Sequence, residues 1–126
     1  MLAAIGIVTK DMERSIAFYS LLGISFKGHG EGADHFEGES NGMRVMLDTF
    51  ELAKKINPDY EMPIASKLSL CFDLKDPKRV DEMFDKIIKA GFLHTKEPWD
   101  AFWNQRYAVV MDPSGNQVDL FANLSN

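Results

Sequence analysis

The sequence has few of the features that mark a secreted, membrane or nucleic-acid-binding protein. It holds one cysteine in 126 residues, which excludes an internal disulfide and suits a reducing cytoplasm. No apolar run approaches the roughly 18 residues of a membrane span, and residues 1–15 lack the basic start of a signal peptide. Lysine and arginine (14) are outnumbered by aspartate and glutamate (19) and are scattered, which disfavours contact with phosphate backbones. We expect a cytoplasmic protein that binds neither nucleic acid nor membrane.

Two stretches of the chain predict the same order of secondary structure. In the first stretch, apolar residues at helical spacing between two β-like runs predict strand, helix, and then three strands. The predicted elements are a strand at 2–8, a helix from Met12 to Leu22, and strands at 24–28, 34–39 (short and at an edge) and 43–50. In the second stretch they are a strand at 67–74, a helix that begins at Asp76 and stops at Gly91, and strands at 92–98, 106–112 and 117–122.

This internal repeat of roughly 60 residues predicts an α+β fold made of two βαβββ modules, because units of that size stack to bury a shared sheet face. We expect one domain over residues 1–126. Module one would span about 1–50, a connector with a helical turn before Pro58 about 51–66, and module two about 67–123. The curved mixed sheets of the two modules are expected to pair into a cup.

Two motifs in the repeat resemble those of a known family. The segment DMERSIAFY at 11–19, followed by Leu22 and Gly23, and the segment DPSGNQVDL at 112–120 closely resemble motifs of the glyoxalase / bleomycin-resistance / extradiol-dioxygenase superfamily, also called the vicinal oxygen chelate fold. The resemblance covers the whole chain. It implies paired βαβββ modules that form a cup, a homodimer, and small-molecule binding or chemistry inside the cup.

The resemblance also implies positions for metal ligands, and most of them hold poor ligands here. Metal-dependent members carry His or Gln where this chain has Ala4 and Ser69, and a further ligand on the fourth strand, where this chain has Met46 and Leu47 with Asp48 one residue on. The expected acid of the last strand is present as Asp119. One good ligand in four is too few, since open catalytic sites use about three protein ligands. We therefore expect no metal cofactor.

Asp119 interrupts an otherwise apolar strand, and its environment depends on the hairpin that precedes it. If residues 113–116 form the loop, Asp119 lies opposite Val110, Phe121 opposite Ala108, and Arg106 opposite Asn123. Asp119 and Phe121 would then share the cup face with Arg106, which could pair with the acid. Asp119 could instead be a solvated strand residue, and a bulge near the turn would reverse the faces.

Both tryptophans lie within five residues of each other, on a segment predicted as a loop. Trp99, Phe102 and Trp103 are flanked by Asn, Gln and Arg, a mixture typical of a ligand-pocket wall. A lid over the core edge or a dimer contact are the alternatives. His29, His35 and His94 lack the spacing of a metal site and are expected to be ordinary surface or core residues. Cys71, between Leu70 and Phe72, is expected to be a small core residue.

The leading hypothesis is a metal-free small-molecule-binding protein that holds an apolar or cationic ligand in the cup. The candidate ligand-binding residues are Asp119, Arg106, Phe121, Trp103, Trp99, Phe102 and Met46. The alternative is a metal-dependent lyase, isomerase or dioxygenase that resembles glyoxalase I. It would bind Zn, Ni, Fe or Mn through unusual ligands such as Asp48, His35 or Asp119. A third hypothesis is a structural or regulatory interaction module.

Overall fold

The computed structural model describes residues 1–28, 32–63 and 67–125. Within it the chain forms two compact units, Met1–Pro63 and Ile64–Asn126. His29, one of the three histidines considered above, lies outside the described residues, as does the end of the predicted connector. No described helix is long and apolar enough to cross a membrane.

The first unit is a βαβββ module followed by a short helix. Its elements are β1 (Ala4–Thr9), α1 (Met12–Leu21), β2 (Lys27–Gly28), β3 (His35–Ser40), β4 (Met43–Thr49) and α2 (Phe50–Ile56). The sheet order is β1-β4-β3-β2, with β1 parallel to β4 and the other pairs antiparallel. Because β2 pairs with β3, β3 is an interior strand and not the edge strand that was predicted.

The core of the first unit follows from the amphipathic spacing of α1. The helix begins at Asp11, whose side chain accepts a hydrogen bond from the backbone N of Arg14, as an N-cap does. Its residues Phe18 and Tyr19 are buried together with Val45 and Leu47 of β4. The predicted strand at 24–28 is limited to β2, and the helical turn predicted before Pro58 is α2.

The second unit repeats the module. Its elements are β5 (Ser69–Asp73), α3 (Pro77–Lys89), β6 (His94–Ala101), β7 (Gln105–Met111) and β8 (Gln117–Asn123). The sheet order is β5-β8-β7-β6, with β5 parallel to β8 and the other pairs antiparallel. The predicted α+β class and the two βαβββ modules are therefore confirmed.

One face of the second sheet packs against α3. The helix begins with Asp76 as its N-cap and Pro77 in its first turn, where proline has no helical hydrogen bond to lose. Its side chains Val80, Phe84 and Ile87 are buried. So are alternate residues of β7 and β8, namely Ala108, Val110, Val118, Leu120 and Ala122. The residues between them on these strands point to the other face of the sheet.

Candidate functional site

The β7–β8 hairpin has a loop of three residues. The prediction of a four-residue loop at residues 113–116 is therefore wrong. The backbone N of Asp112 donates to the carbonyl O of Asn116 at 2.9 Å, and Gly115 N donates to Asp112 O at 3.0 Å. Gly115 has φ +85°, the left-handed conformation that ends a three-residue hairpin loop. The Asp112 carboxylate also accepts hydrogen bonds from the backbone N of Ser114 and Asn116. Asp112 thus stabilises the loop through both its backbone and its carboxylate.

The shorter loop shifts the register by one residue and changes the faces of β7. Asp119 lies opposite Val109, and Phe121 lies opposite Tyr107. Arg106 lies opposite Ala122, on the face that packs against α3. Its guanidinium binds both carboxylate oxygens of Asp81 on α3, at 3.0 and 3.2 Å, and these bonds raise the pKa of Arg106. The proposed pairing of Arg106 with Asp119 is therefore wrong.

Asp119 lies at the centre of a hydrogen-bond cluster on the opposite face. The residue is 6% exposed. Its Oδ2 accepts a hydrogen bond from the Tyr107 hydroxyl at 2.5 Å, and its Oδ1 accepts one from Gln117 Nε2 at 3.0 Å. The Cys71 thiol lies 3.8 Å from Oδ2, a weak third donor. A carboxylate offers about four acceptor positions, so one remains for a further donor.

Tyr107 is the residue of this cluster that the sequence reasoning missed. Burial, reinforced by the hydrogen bond to Asp119, raises the pKa of the Tyr107 hydroxyl far above its usual value. The phenol therefore stays protonated and keeps donating to the carboxylate. Loop length alone decides this: a three-residue Pro-Ser-Gly loop places Tyr107 on the Asp119 face, whereas a four-residue loop would place Arg106 there.

Cys71 belongs to this cluster rather than to the core. It lies opposite Asp119 on β5, while Leu70 and Phe72 lie opposite Val118 and Leu120 of the helix-facing side. The thiol is exposed, so the predicted core role for Cys71 is wrong. The alternation of side chains along β5 explains why Cys71 is exposed, because the apolar neighbours of Cys71 lie on the helix-facing side.

Four aromatic rings extend the cluster into an apolar strip. Trp99 lies opposite Tyr107, with ring centroids 5.7 Å apart, and Trp103 is 5.2 Å from Tyr107 and 5.9 Å from Trp99. Phe121 stacks on Tyr107 at 6.2 Å. We call the surface formed by Trp99, Trp103, Tyr107, Asp119 and Phe121, together with Cys71 and Gln117, the Asp119 face.

The tip of the β6–β7 hairpin carries the remaining aromatic residues of the segment. Trp99 belongs to β6, not to the loop predicted for it. Trp103 is 44% exposed and Phe102 is 96% exposed, with Phe102 packed edge-on against Trp103. The indole N–H of Trp103 donates to Gln105 Oε1 at 2.9 Å, which fixes the ring. The structure therefore brings Trp99 and Trp103 to the Asp119 face and leaves Phe102 at its rim.

The first unit carries a charged cluster of its own on the face of β4 that contains Met46. His35 contacts Asp48 through Nδ1 and Glu37 through Nε2, the latter at 2.9 Å, and Arg44 Nε donates to Glu37 at 3.1 Å. Hydrogen bonds to Glu37 and then Asp48 raise the pKa of His35. Carboxylate oxygens only accept, so both bonds require the doubly protonated imidazolium. His35 is thus an ion-paired strand residue.

The chemistry of these side chains does not suit a resident metal ion. Ala4 has no donor atom, and Asp119 already accepts from Tyr107 and Gln117. Both nitrogens of His35 face carboxylates, so neither offers a lone pair in this state. Within residues 1–28, 32–63 and 67–125, no three His, Cys, Asp or Glu side chains are grouped so as to hold a metal.

Three solved structures illustrate the likeness of the chain to known proteins. A glyoxalase/bleomycin resistance protein/dioxygenase family enzyme from Burkholderia phytofirmans PsJN is 22% identical, with TM-score 0.81, over 98% of this chain and 98% of that one. A genomically encoded fosfomycin resistance protein from Listeria monocytogenes is 14% identical, with TM-score 0.76, over 98% of this chain and 93% of that one. A bleomycin-binding protein complexed with bleomycin is 21% identical, with TM-score 0.62, over 96% of this chain and 97% of that one. At these identities the likeness shows the fold alone.

A family model covers nearly the whole chain. None of the curated proteins matches the chain. The model of the Glyoxalase/Bleomycin resistance protein/Dioxygenase superfamily matches residues 2–120, which include both motifs noted in the sequence. The chain belongs to the Glyoxalase/Bleomycin resistance protein/Dioxygenase superfamily.

Proposed function

We propose that the protein is a metal-free small-molecule-binding protein and that the Asp119 face is its binding surface. The observation that carries the proposal is the combination of an acidic residue, Asp119, that is 6% exposed with a strip of four aromatic rings beside it. Small-molecule sites typically combine an apolar lining with a few polar groups that fix orientation. The Asp119 face has both parts.

Each part of the face would contribute a different interaction. The rings of Trp99 and Trp103 offer flat apolar area, on which an aromatic or aliphatic guest buries its surface. The remaining acceptor position of Asp119 would take an N–H donor, and a charged donor would bind more tightly than a neutral one. Tyr107 and Gln117 hold the carboxylate in place, so little reorganisation is needed on binding. An apolar or cationic guest is the class that these groups favour.

The similar structures include a protein that binds a small molecule and a resistance protein. One of them is complexed with bleomycin, and another is a fosfomycin resistance protein. These are properties of those proteins, and they support the proposal because one protein of the same fold holds a small molecule. We also propose, from the resemblance and the composition, that the protein is cytoplasmic and forms a homodimer. Light scattering coupled to size exclusion would measure its oligomeric state.

Calorimetric titration of variants tests the binding proposal. Bleomycin and tryptamine serve as probes, since each joins a planar ring system to a cationic group. Asp119→Asn keeps the shape of the side chain and removes its charge, and Trp103→Ala removes one ring. We expect each variant to bind at least one probe about tenfold more weakly than wild type. Asp85→Asn, which changes an exposed acid of α3, is the matched control and should bind normally. Failure of both probes to bind, or equal binding by all four proteins, would refute the proposal.

Metal analysis separates this proposal from a metal-dependent enzyme. The protein is purified without added metal and its content of Zn, Ni, Fe and Mn is measured by mass spectrometry. We expect less than about one metal per ten chains, because the superfamily positions hold Ala4 and Ser69 in place of strong ligands. Near-stoichiometric metal that is lost in Asp119→Asn would overturn the metal-free proposal.

A further inference from the structure

Lys96 places a positive charge on the β6 side of the aromatic strip, whereas Asp119 lies on β8, two strands away. Its ammonium lies 4.8 Å from the centroid of the Trp99 ring, within the range of a cation–π contact. Trp99 contacts Tyr107, and Tyr107 donates to Asp119. Contacts therefore connect the ammonium through two aromatic rings to the carboxylate, while Val109 of β7 lies directly between Lys96 and Asp119 on the sheet.

Two irregularities in β6 are responsible for this placement. His94 lies opposite Val110, Lys96 opposite Val109 and Trp99 opposite Tyr107. In a regular strand, residues two apart share a face and residues three apart do not. Here the reverse holds. His94 packs against Phe84 of α3 at 5.0 Å, whereas Lys96 and Trp99 share the Asp119 face. An extra residue at each register shift re-aims the side chain, as β-bulges do beside binding sites.

The Lys96 ammonium has the properties of a recognition group. It makes no ion pair with any carboxylate among residues 1–28, 32–63 and 67–125. The residue is exposed, so the flexible side chain can turn from the Trp99 ring toward a bound molecule. While it lies over Trp99 it repels a second cation from that ring. A cationic guest group is thereby directed to the Asp119 end.

We infer that the Asp119 face selects flat aromatic molecules that carry an acidic group at one end and a cationic or hydrogen-bond-donating group at the other. The acidic group pairs with Lys96, the ring lies on Trp99, Trp103 and Tyr107, and the donor binds Asp119. This inference rests on the proposed function and narrows its ligand class from any apolar or cationic molecule to a bipolar one. Lys96 is the specificity-determining residue.

Nuclear magnetic resonance offers a direct test, because the chain has two tryptophans and both lie on this face. In ¹⁵N-labelled protein each gives one indole N–H signal. Three unlabelled probes share a benzene ring: benzylamine has only an ammonium, benzoate only a carboxylate, and 4-(aminomethyl)benzoate has both, at opposite ends of the ring. We expect saturable shifts of both indole signals, with 4-(aminomethyl)benzoate the tightest binder of the three.

Variants of Lys96 decide the role of its charge. Lys96→Gln should weaken the binding of 4-(aminomethyl)benzoate and benzoate about fivefold, as expected for loss of a partly exposed charged contact, and leave the binding of benzylamine unchanged or tighter. Lys96→Arg should restore wild-type affinity. Lys78→Gln, an exposed lysine of α3, is the matched control and should change nothing. Unfolding midpoints of all variants verify that each is folded.

The outcomes separate this inference from the function on which it rests. If the probes shift the indole signals but Lys96→Gln and Lys78→Gln bind them equally, the bipolar class is wrong and the binding surface stands. The same holds if benzylamine binds more tightly than 4-(aminomethyl)benzoate in wild type. If no probe shifts either indole signal and the calorimetric probes also fail, both the inference and the proposed function are overturned.

Discussion

The Tyr107 hydroxyl on β7 donates a 2.5 Å hydrogen bond to Oδ2 of Asp119 on the neighbouring strand β8. The two residues are diagonal neighbours, since Tyr107 lies opposite Phe121 and Asp119 lies opposite Val109. Burying a carboxylate is costly unless donors compensate for lost water. This bond and the one from Gln117 are what allow a charged residue to sit within an apolar strand.

Removing the Tyr107 hydroxyl should therefore destabilise the fold. Tyr107→Phe keeps the ring in the aromatic strip and deletes the donor, which leaves Asp119 Oδ2 with only the weak Cys71 contact. We expect the free energy of unfolding to fall by about 1–3 kcal/mol, as measured by urea denaturation. Tyr60→Phe is the control, since the Tyr60 hydroxyl has no hydrogen bond within the described residues, and it should change stability little. Equal effects of the two variants would contradict the role given to the Tyr107 hydroxyl.

The corrected register predicts which acid is energetically coupled to Arg106. In a double-mutant cycle, Arg106→Gln and Asp81→Asn should show a coupling of about 0.5–1 kcal/mol, because the pair is bidentate but partly exposed. Arg106→Gln and Asp119→Asn should be additive to within about 0.5 kcal/mol, because the two side chains point to opposite faces of the sheet. Urea denaturation of the single and double variants measures both couplings. A larger coupling to Asp119 than to Asp81 would support the four-residue loop instead.

The elements of this fold could be read from the sequence because they depend on local patterns. Val80, Phe84 and Ile87 are each about one helical turn apart, and Asp76 followed by Pro77 is a typical helix start. The alternation from Val118 to Leu120 likewise indicates a strand with one buried face. Burial confirms each of these patterns.

The residues that lie on the Asp119 face could not be predicted in the same way, because they depend on whether the loop has an odd or an even number of residues. Pro113, Ser114, Gly115 and Asn116 suit a loop of three or of four residues, and a difference of one residue exchanges Arg106 for Tyr107 on the face. No glycine marks the register shifts in β6, so the sequence did not predict that Lys96 lies on the same face as Trp99. Local residue types therefore predicted the acid and the aromatic rings but not their neighbours.

The three-residue loop also makes a prediction about Gly115. Its φ of +85° is a left-handed conformation that a Cβ disfavours, so Gly115→Ala should lower the free energy of unfolding by about 1–2 kcal/mol. Gly6→Ala is the contrasting control. Gly6 lies in β1 without a positive φ, and an added Cβ would meet Met46 Cε at an ordinary 3.6 Å, so the change should be neutral or stabilising by about 0.5–1 kcal/mol. Denaturation curves in which the two variants lose equal stability would contradict this reading of the loop.

The His35 cluster predicts a loss of stability at alkaline pH. Glu37 and Asp48 raise the pKa of His35 above its usual value of 6.5 in the folded protein, and Arg44 and Lys27 are the cations beside Glu37. A raised folded pKa means that the stabilisation is fully present below about pH 6.5 and is lost as pH rises through the folded pKa. His35→Gln should therefore be less stable than wild type at pH 6, and the difference should shrink toward pH 9. Urea denaturation across this range measures the difference, and the His35 ring signals in a proton spectrum report its pKa directly. A pKa at or below 6.5, or a stability difference that grows with pH, would show that the cluster does not favour the imidazolium.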